Sequence, residues 1–310
     1  MQLSNSSIRS AAIALALCFV STACASLPSA PPATVAEPTT TEPASTGPAL
    51  WKVADDDTTI YLFGTVHVLP KETVWYEGKI ATALQSADSL VTEIYIAPDM
   101  QAAAGAAFMT KGTLPEGESL RDLLTDDQKA SYEASMAKMG MPAATFDRFE
   151  PWLAAVNISM IPLLKAGYSP ESGVEKVLET EAATKSRGEL ESVELQVDLF
   201  DGLPMDSQIA FMLDAAANAD QVVPMLDTLI GEWAAGDAEE LGKLMNDGFA
   251  DPVLAQTLLY NRNRNWAEWI DTRLDTPGTI FIAVGAGHLA GKDSVQDALA
   301  ARGIASTRIQ

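Results

Sequence analysis

The apolar positions of this chain change rhythm twice. Leu50-Trp51-Lys52-Val53 and Thr59-Ile60-Tyr61-Leu62-Phe63 flank Asp55-Asp56-Asp57, which predicts a hairpin. Lys71 to Ala87 has helical spacing, and Ser89-Leu90-Val91-Thr92-Glu93-Ile94 predicts a second central strand. From Pro98 to about Leu274 the pattern is mainly helical, with a short strand expected at Leu190 to Glu194. Thr279 to Val284 is a near-continuous apolar run, as in a strand buried on both faces. A helix over Lys292 to Ala301 and a short strand at Ser306 to Ile309 finish the chain. Strands lie at both ends and helices between them. The expected fold class is therefore α/β: one domain over residues 50–310, its central mixed sheet formed by the N- and C-terminal parts, with a large helical insertion at about 98–274.

One helix is well delimited. Asp251 is a natural N-cap, Pro252 suits the first helical position, and Pro277-Gly278 follows the end. Steps of three and four from Leu259 reach Arg262, Trp266, Trp269 or Ile270, and Arg273. Arg262 thus shares the stripe of large aromatics, whereas Arg264 falls with Tyr260, Glu268 and Asp271 on the polar face.

Composition adds an address. Arg9, the apolar segment Ala11 to Val20 and the small residues after it read as a signal peptide over residues 1–26, too short to span a bilayer. Ala23-Cys24-Ala25 suits simple cleavage. Ser21-Thr22-Ala23-Cys24 resembles a lipobox, in which Cys24 becomes a lipidated N-terminus. Residues 27–49, rich in Pro, Thr and Ala, read as a linker, which a tethered protein needs and a free one does not. The expectation is an exported, periplasmic protein, anchored by lipid at the outer membrane. Cys18 and Cys24 are the only cysteines, so the domain itself can hold no disulfide, thiol nucleophile or cysteine metal site. The net charge of −22 argues against nucleic acid and anionic membrane as partners, leaving the lipid anchor as the membrane contact.

The candidate chemistry rests on the two histidines of the chain. Each ends a Gly-x-x-His motif after an apolar strand: Gly64-Thr65-Val66-His67 and Gly285-Ala286-Gly287-His288. Parallel strands bring their C-terminal ends to a common crevice, and a glycine there permits a tight exit. A single histidine at a strand end is more often held by a hydrogen bond than by a ligand. Two in the same context suggest imidazoles shared by one ion. Glu93, inside an apolar strand, is expensive unless paired or ligating, and is the expected third ligand or a general base. Glu191 is a second candidate as ligand, supporting group or base. Arg262 is aimed inward, either to steady an oxyanion or to bridge Glu93 or Glu191, and Asn263 flanks it. Gly285-x-Gly287-x-x-Ala290 mimics a dinucleotide fingerprint, but too little chain follows for a βαβ unit. Neither a Gly-x-Ser-x-Gly elbow nor a His-Glu-x-x-His helix is present.

Taken with Ser172-Gly173-Val174-Glu175, Leu190-Glu191-Ser192-Val193-Glu194-Leu195-Gln196 and Arg262-Asn263-Arg264-Asn265-Trp266, these motifs resemble the TraB/PrgY/GumN family, which includes the Tiki proteases. The resemblance runs from about Leu50 to the C-terminus. It implies a metal-dependent hydrolase acting on peptides or small molecules, with Mn²⁺ or Co²⁺ favoured and Zn²⁺ admissible. By position, His67, Glu93, Arg262 and His288 match the family's functional residues. Trp266 stands where the family often has Met, a departure assigned to packing. The alternative reading is a binding lipoprotein that captures a peptide or a haem without turnover.

Overall fold

The computed structural model describes residues 47–246 and 251–310. The expected signal peptide, Cys24 and the linker as far as residue 46 lie outside the described residues. Strands β1 (Leu50–Ala54) and β2 (Thr58–Thr65) form the hairpin, with Leu50 opposite Phe63. Its turn is held by the Asp55 carboxylate, which accepts the amides of Asp57 and Thr58 at 3.1 and 2.8 Å. With β3 (Ser89–Thr92), β4 (Ser186–Glu189), β5 (Gly278–Gly285) and β6 (Thr307–Arg308) they make one mixed sheet, ordered β4-β3-β5-β2-β1-β6.

The two ends of the sequence interleave in this sheet, as expected. β5, from the C-terminal part, is inserted between β3 and β2 and runs parallel to both, and β4 runs parallel to β3. All four therefore end at the same edge. β5 is buried on both faces. Phe281 and Ala283 join the larger core, while Ile280, Ile282 and Val284 enter a second core with Trp266 and Ile270. That double burial is why its sequence reads as a continuous apolar run.

Helix α1 (Gly78–Ser86) links β2 to β3. The insertion carries α2 (Gln101–Lys111), α3 (Asp126–Lys138), α4 (Pro151–Lys165) and α5 (Val174–Glu181) before β4. After β4 come α6 (Val193–Asp201), α7 (Met205–Ala217), α8 (Val222–Ala235) and α9 (Ala238–Asn246). Pro252–Ala255, the π-helical turn Gln256–Tyr260 and α10 (Asn261–Leu274) follow, then β5 and α11 (Val295–Ala301). Asp251 does cap the first of these, its carboxylate accepting the Val253 amide at 2.8 Å. No helix among the described residues is long and apolar enough to cross a membrane.

Three expected boundaries move. The helix foreseen from Lys71 starts only at Gly78, because Trp75 leaves the helical path to stack on Phe63 with ring centroids 5.5 Å apart. The strand foreseen at Leu190 to Glu194 lies earlier: β4 is the polar edge segment Ser-Arg-Gly-Glu, which shows no apolar alternation, and Val193 already belongs to α6. The last helix begins at Val295, where Ser294 caps it by accepting the Asp297 amide.

Candidate active site

Each of the four parallel strands delivers one group at its C-terminal end. β2 leads to His67, β3 to Glu93, β4 to Glu191 and β5 to His288. Pairing of β3 with β4 continues past the strands, since the Glu191 amide donates to the Glu93 carbonyl at 2.8 Å. The two glutamates are thereby set side by side, and both side chains are buried.

Arg262 reaches them from α10. The π-helical turn ends just before this helix, and the Arg262 guanidinium donates back to the Leu258 carbonyl at 3.1 Å. Nε donates to both oxygens of Glu191 at 2.8 and 3.1 Å. Nη2 donates to Glu191 Oε2 at 2.8 Å and to Glu93 Oε2 at 2.5 Å. Glu93 Oε1 accepts the Gly285 amide at 2.7 Å, which gives the second motif glycine a definite task. Gln196 Nε2 donates to both carboxylates at 3.2 Å. Trp266 donates Nε1 to Glu191 at 2.9 Å and offers its ring face to the guanidinium, 4.7 Å away. Its role is more than packing. Arg262, 2% exposed, is thus a bridge between two buried acids, which a planar five-donor cation does better than an ammonium.

His288 is fully buried, at 0% exposure, in the short turn Ala286–Leu289. Gly64 allows this turn to lie against β2, since a Cβ there would sit 2.9 Å from the Ala286 Cα. The tautomer of His288 follows from its neighbours. Asn263 Nδ2 donates to the Asp293 carbonyl at 2.7 Å, so Asn263 Oδ1 faces the ring and accepts from Nδ1 at 2.5 Å. Nε2 then carries the lone pair and accepts from Arg262 Nη1 at 3.2 Å, a contact only a neutral ring can make. Burial, and after it the Arg262 charge and His67, hold its pKa well below the ordinary 6.5.

His67 is different. Its Nδ1 lies 2.6 Å from Glu175 Oε1, on α5. Burial lowers its pKa, but the Glu175 charge and hydrogen bond outweigh that, and the net shift is upward from 6.5. Glu175 shows the converse: burial raises it, while His67 draws it below its usual value. Both shifts favour the ion pair. His67, Glu93 and Glu175 line an open cleft, with Ile94, Ile96 and Gln196 among its walls.

The structure therefore brings together His67, Glu93, Glu191, Arg262, Asn263, His288, Gly64 and Gly285. It separates their roles, however: His67 and Glu93 line the cleft, whereas His288, Glu191 and Arg262 form a buried support behind Glu93. An oxyanion role for Arg262 has no geometric basis, because each of its nitrogens already donates inward.

The expected metal set is only half met by this geometry. The ring anchors fit, since oxygen acceptors on both Nδ1 atoms are what ligating histidines have. The seat does not. Arg262 stands between His288 Nε2 and Glu93, and among the described residues no three His, Cys, Asp or Glu side chains converge as an ion requires. Glu175 and Gln196 had no role assigned from sequence, although both fall inside segments that carry the resemblance. Gly173 was the readable signal: a Cβ there would lie 2.1 Å from the His67 carbonyl oxygen, so the glycine lets α5 start against His67.

An uncharacterized protein of Treponema pallidum (strain Nichols) is 21% identical over 268 residues, covering 81% of this chain and 80% of its own length. No solved structure matches. The TraB/PrgY/gumN family model matches residues 49–308, the whole sheet and its insertion, and the chain belongs to that family.

Proposed function

We propose that the chain is a hydrolase of amide or ester bonds, with peptides as its main substrate class. The observation that carries this reading is the His67–Glu175 pair, 2.6 Å apart, in the lining of an open cleft that the carboxylate of Glu93 also lines. Glu175 holds the proton on Nδ1, so Nε2 of a deprotonated His67 serves as base. It takes a proton from water as the water oxygen adds to the carbonyl carbon. The imidazolium that forms is stabilised by Glu175 and, at longer range, by Glu93. It then gives the proton to the departing nitrogen or oxygen as that bond breaks. A positioned base and acid of this kind contribute about 10²- to 10⁴-fold in rate. Arg262, His288 and Glu191 act as positioning residues through Glu93. Each of these steps uses groups of the chain alone. We further propose that the protein works outside the cytoplasm, anchored through Cys24.

The test is digestion of a peptide library by the full chain and by His67→Ala, each with a chelator and with added Mn²⁺ or Co²⁺. Cleavage by the wild type that survives the chelator and disappears in His67→Ala supports the reading. Intact release of bound peptides, with no cleavage under any condition, would make this a capture protein instead.

A further inference from the structure

We infer that the Arg262 guanidinium is the built-in cation of this centre, occupying the seat a divalent ion would need, and that removing it converts the surrounding groups into a metal site. Four acceptors from four segments converge on one side chain: the Glu93 and Glu191 carboxylates, His288 Nε2 and the Leu258 carbonyl. Two carboxylates, an imidazole nitrogen and a main-chain oxygen are the donors that hard and borderline divalent ions take. Here they are saturated by a planar cation wider than a metal ion, which spaces them so that no three converge as an ion requires while it is in place. An ion bridging His288 Nε2 and Glu93 Oε1, which lie 3.9 Å apart, would press against the guanidinium in a dry interior, where like charges repel strongly.

The surroundings are built for the guanidinium. The π-helical turn brings the Leu258 carbonyl to Nη1. The face of Trp266 covers the guanidinium carbon, and the same indole donates to Glu191. The Asn263 amide, fixed by the Asp293 carbonyl, keeps the His288 lone pair turned toward Nη1. These partners occupy the donors of the guanidinium, and they also leave an acceptor set waiting if the arginine is lost.

This inference rests on the metal-free reading proposed above, but its readout is bound metal and not cleavage, so a wild type that carries an ion and a wild type that cleaves nothing are distinguishable failures. The full chain is produced in medium supplemented with Mn²⁺, Co²⁺ or Zn²⁺, dialysed, and assayed for bound metal and for thermal melting with and without each ion. The wild type is expected to hold far less than one equivalent and to melt at the same temperature with or without ion. Arg262→Ala is expected to bind about one ion per chain and to gain melting temperature with it, both effects disappearing in Arg262→Ala/His288→Ala. A wild type that retains about one ion, lost in His67→Ala/His288→Ala, overturns the inference. So does a folded Arg262→Ala that binds none. If Arg262→Ala does not fold with or without ion, the wild-type metal content alone decides.

Discussion

His67 and Glu175 lie 108 positions apart in the sequence and 2.6 Å apart in the fold. Their contact is made by backbone before it is made by side chains. The Val174 amide donates to the Val66 carbonyl at 3.0 Å, and Gly173 has no Cβ to collide with the His67 carbonyl. The first turn of α5 is thus locked against the exit of β2, and Glu175 has the His67 ring as its natural partner.

The pair sets a pH dependence. The folded pKa of His67 is raised above 6.5, so the stabilisation it draws from Glu175 is complete below that value and fades as pH rises through the folded pKa. A base must be deprotonated, which places the acid limb of kcat/KM above the ordinary histidine value of 6.5. In Glu175→Gln, burial is opposed only by the more distant Glu93 charge. The limb is expected to move to lower pH, and kcat/KM to fall roughly 10²- to 10⁴-fold. An unmoved limb in the pH–rate profile would remove His67 as the base.

Gly173→Ala is expected to cost about 1–3 kcal/mol, because its Cβ meets backbone rather than a side chain that could yield. Gly105→Ala, inside α2 with nothing within 4 Å of the added carbon, is expected to stabilise by about 0.5–1 kcal/mol. Urea denaturation of the two variants compares them directly, and similar effects would contradict the close approach at His67.

Arg262→Met leaves two buried carboxylates facing each other. Loss of one partner from such a network costs about 3–5 kcal/mol. Adding Glu93→Gln and Glu191→Gln should return much of it, since neutral amides need no counter-charge. Denaturation midpoints across this series measure the coupling, and additive losses would mean that the three residues do not act together.

Away from the cleft, burial pushes Asp214 up to about 6, partly offset by its hydrogen bond from Asn218. Its Oδ2 has no hydrogen-bond partner. For an acid raised in the fold, stability falls as pH rises from the unfolded value of 3.8 through about 6. Asp214→Asn should therefore gain roughly 1–2 kcal/mol near pH 8 and almost nothing near pH 4. A gain equal at both pH values would point to a cause other than the charge.

Much of this molecule is written in local spacing. The apolar run of β5, the hairpin across Asp55 to Asp57, the Asp251-Pro252 start and the opposite phases of Arg262 and Arg264 all follow from periods of 2 and 3.6 residues, and the structure has them where the spacing puts them. The paired Gly-x-x-His motifs likewise marked the correct edge of the sheet. What spacing does not carry is the choice of partner. That β4 is a polar edge strand, that Glu175 meets His67, that His288 is sealed inside while His67 faces the cleft, and that Arg262 takes the place between Glu93 and His288 all depend on segments as many as 169 positions apart. A strand's sequence says which residue leaves its end. Which charge neutralises that residue is decided only when neighbouring strands and helices fix the distances over which charges act.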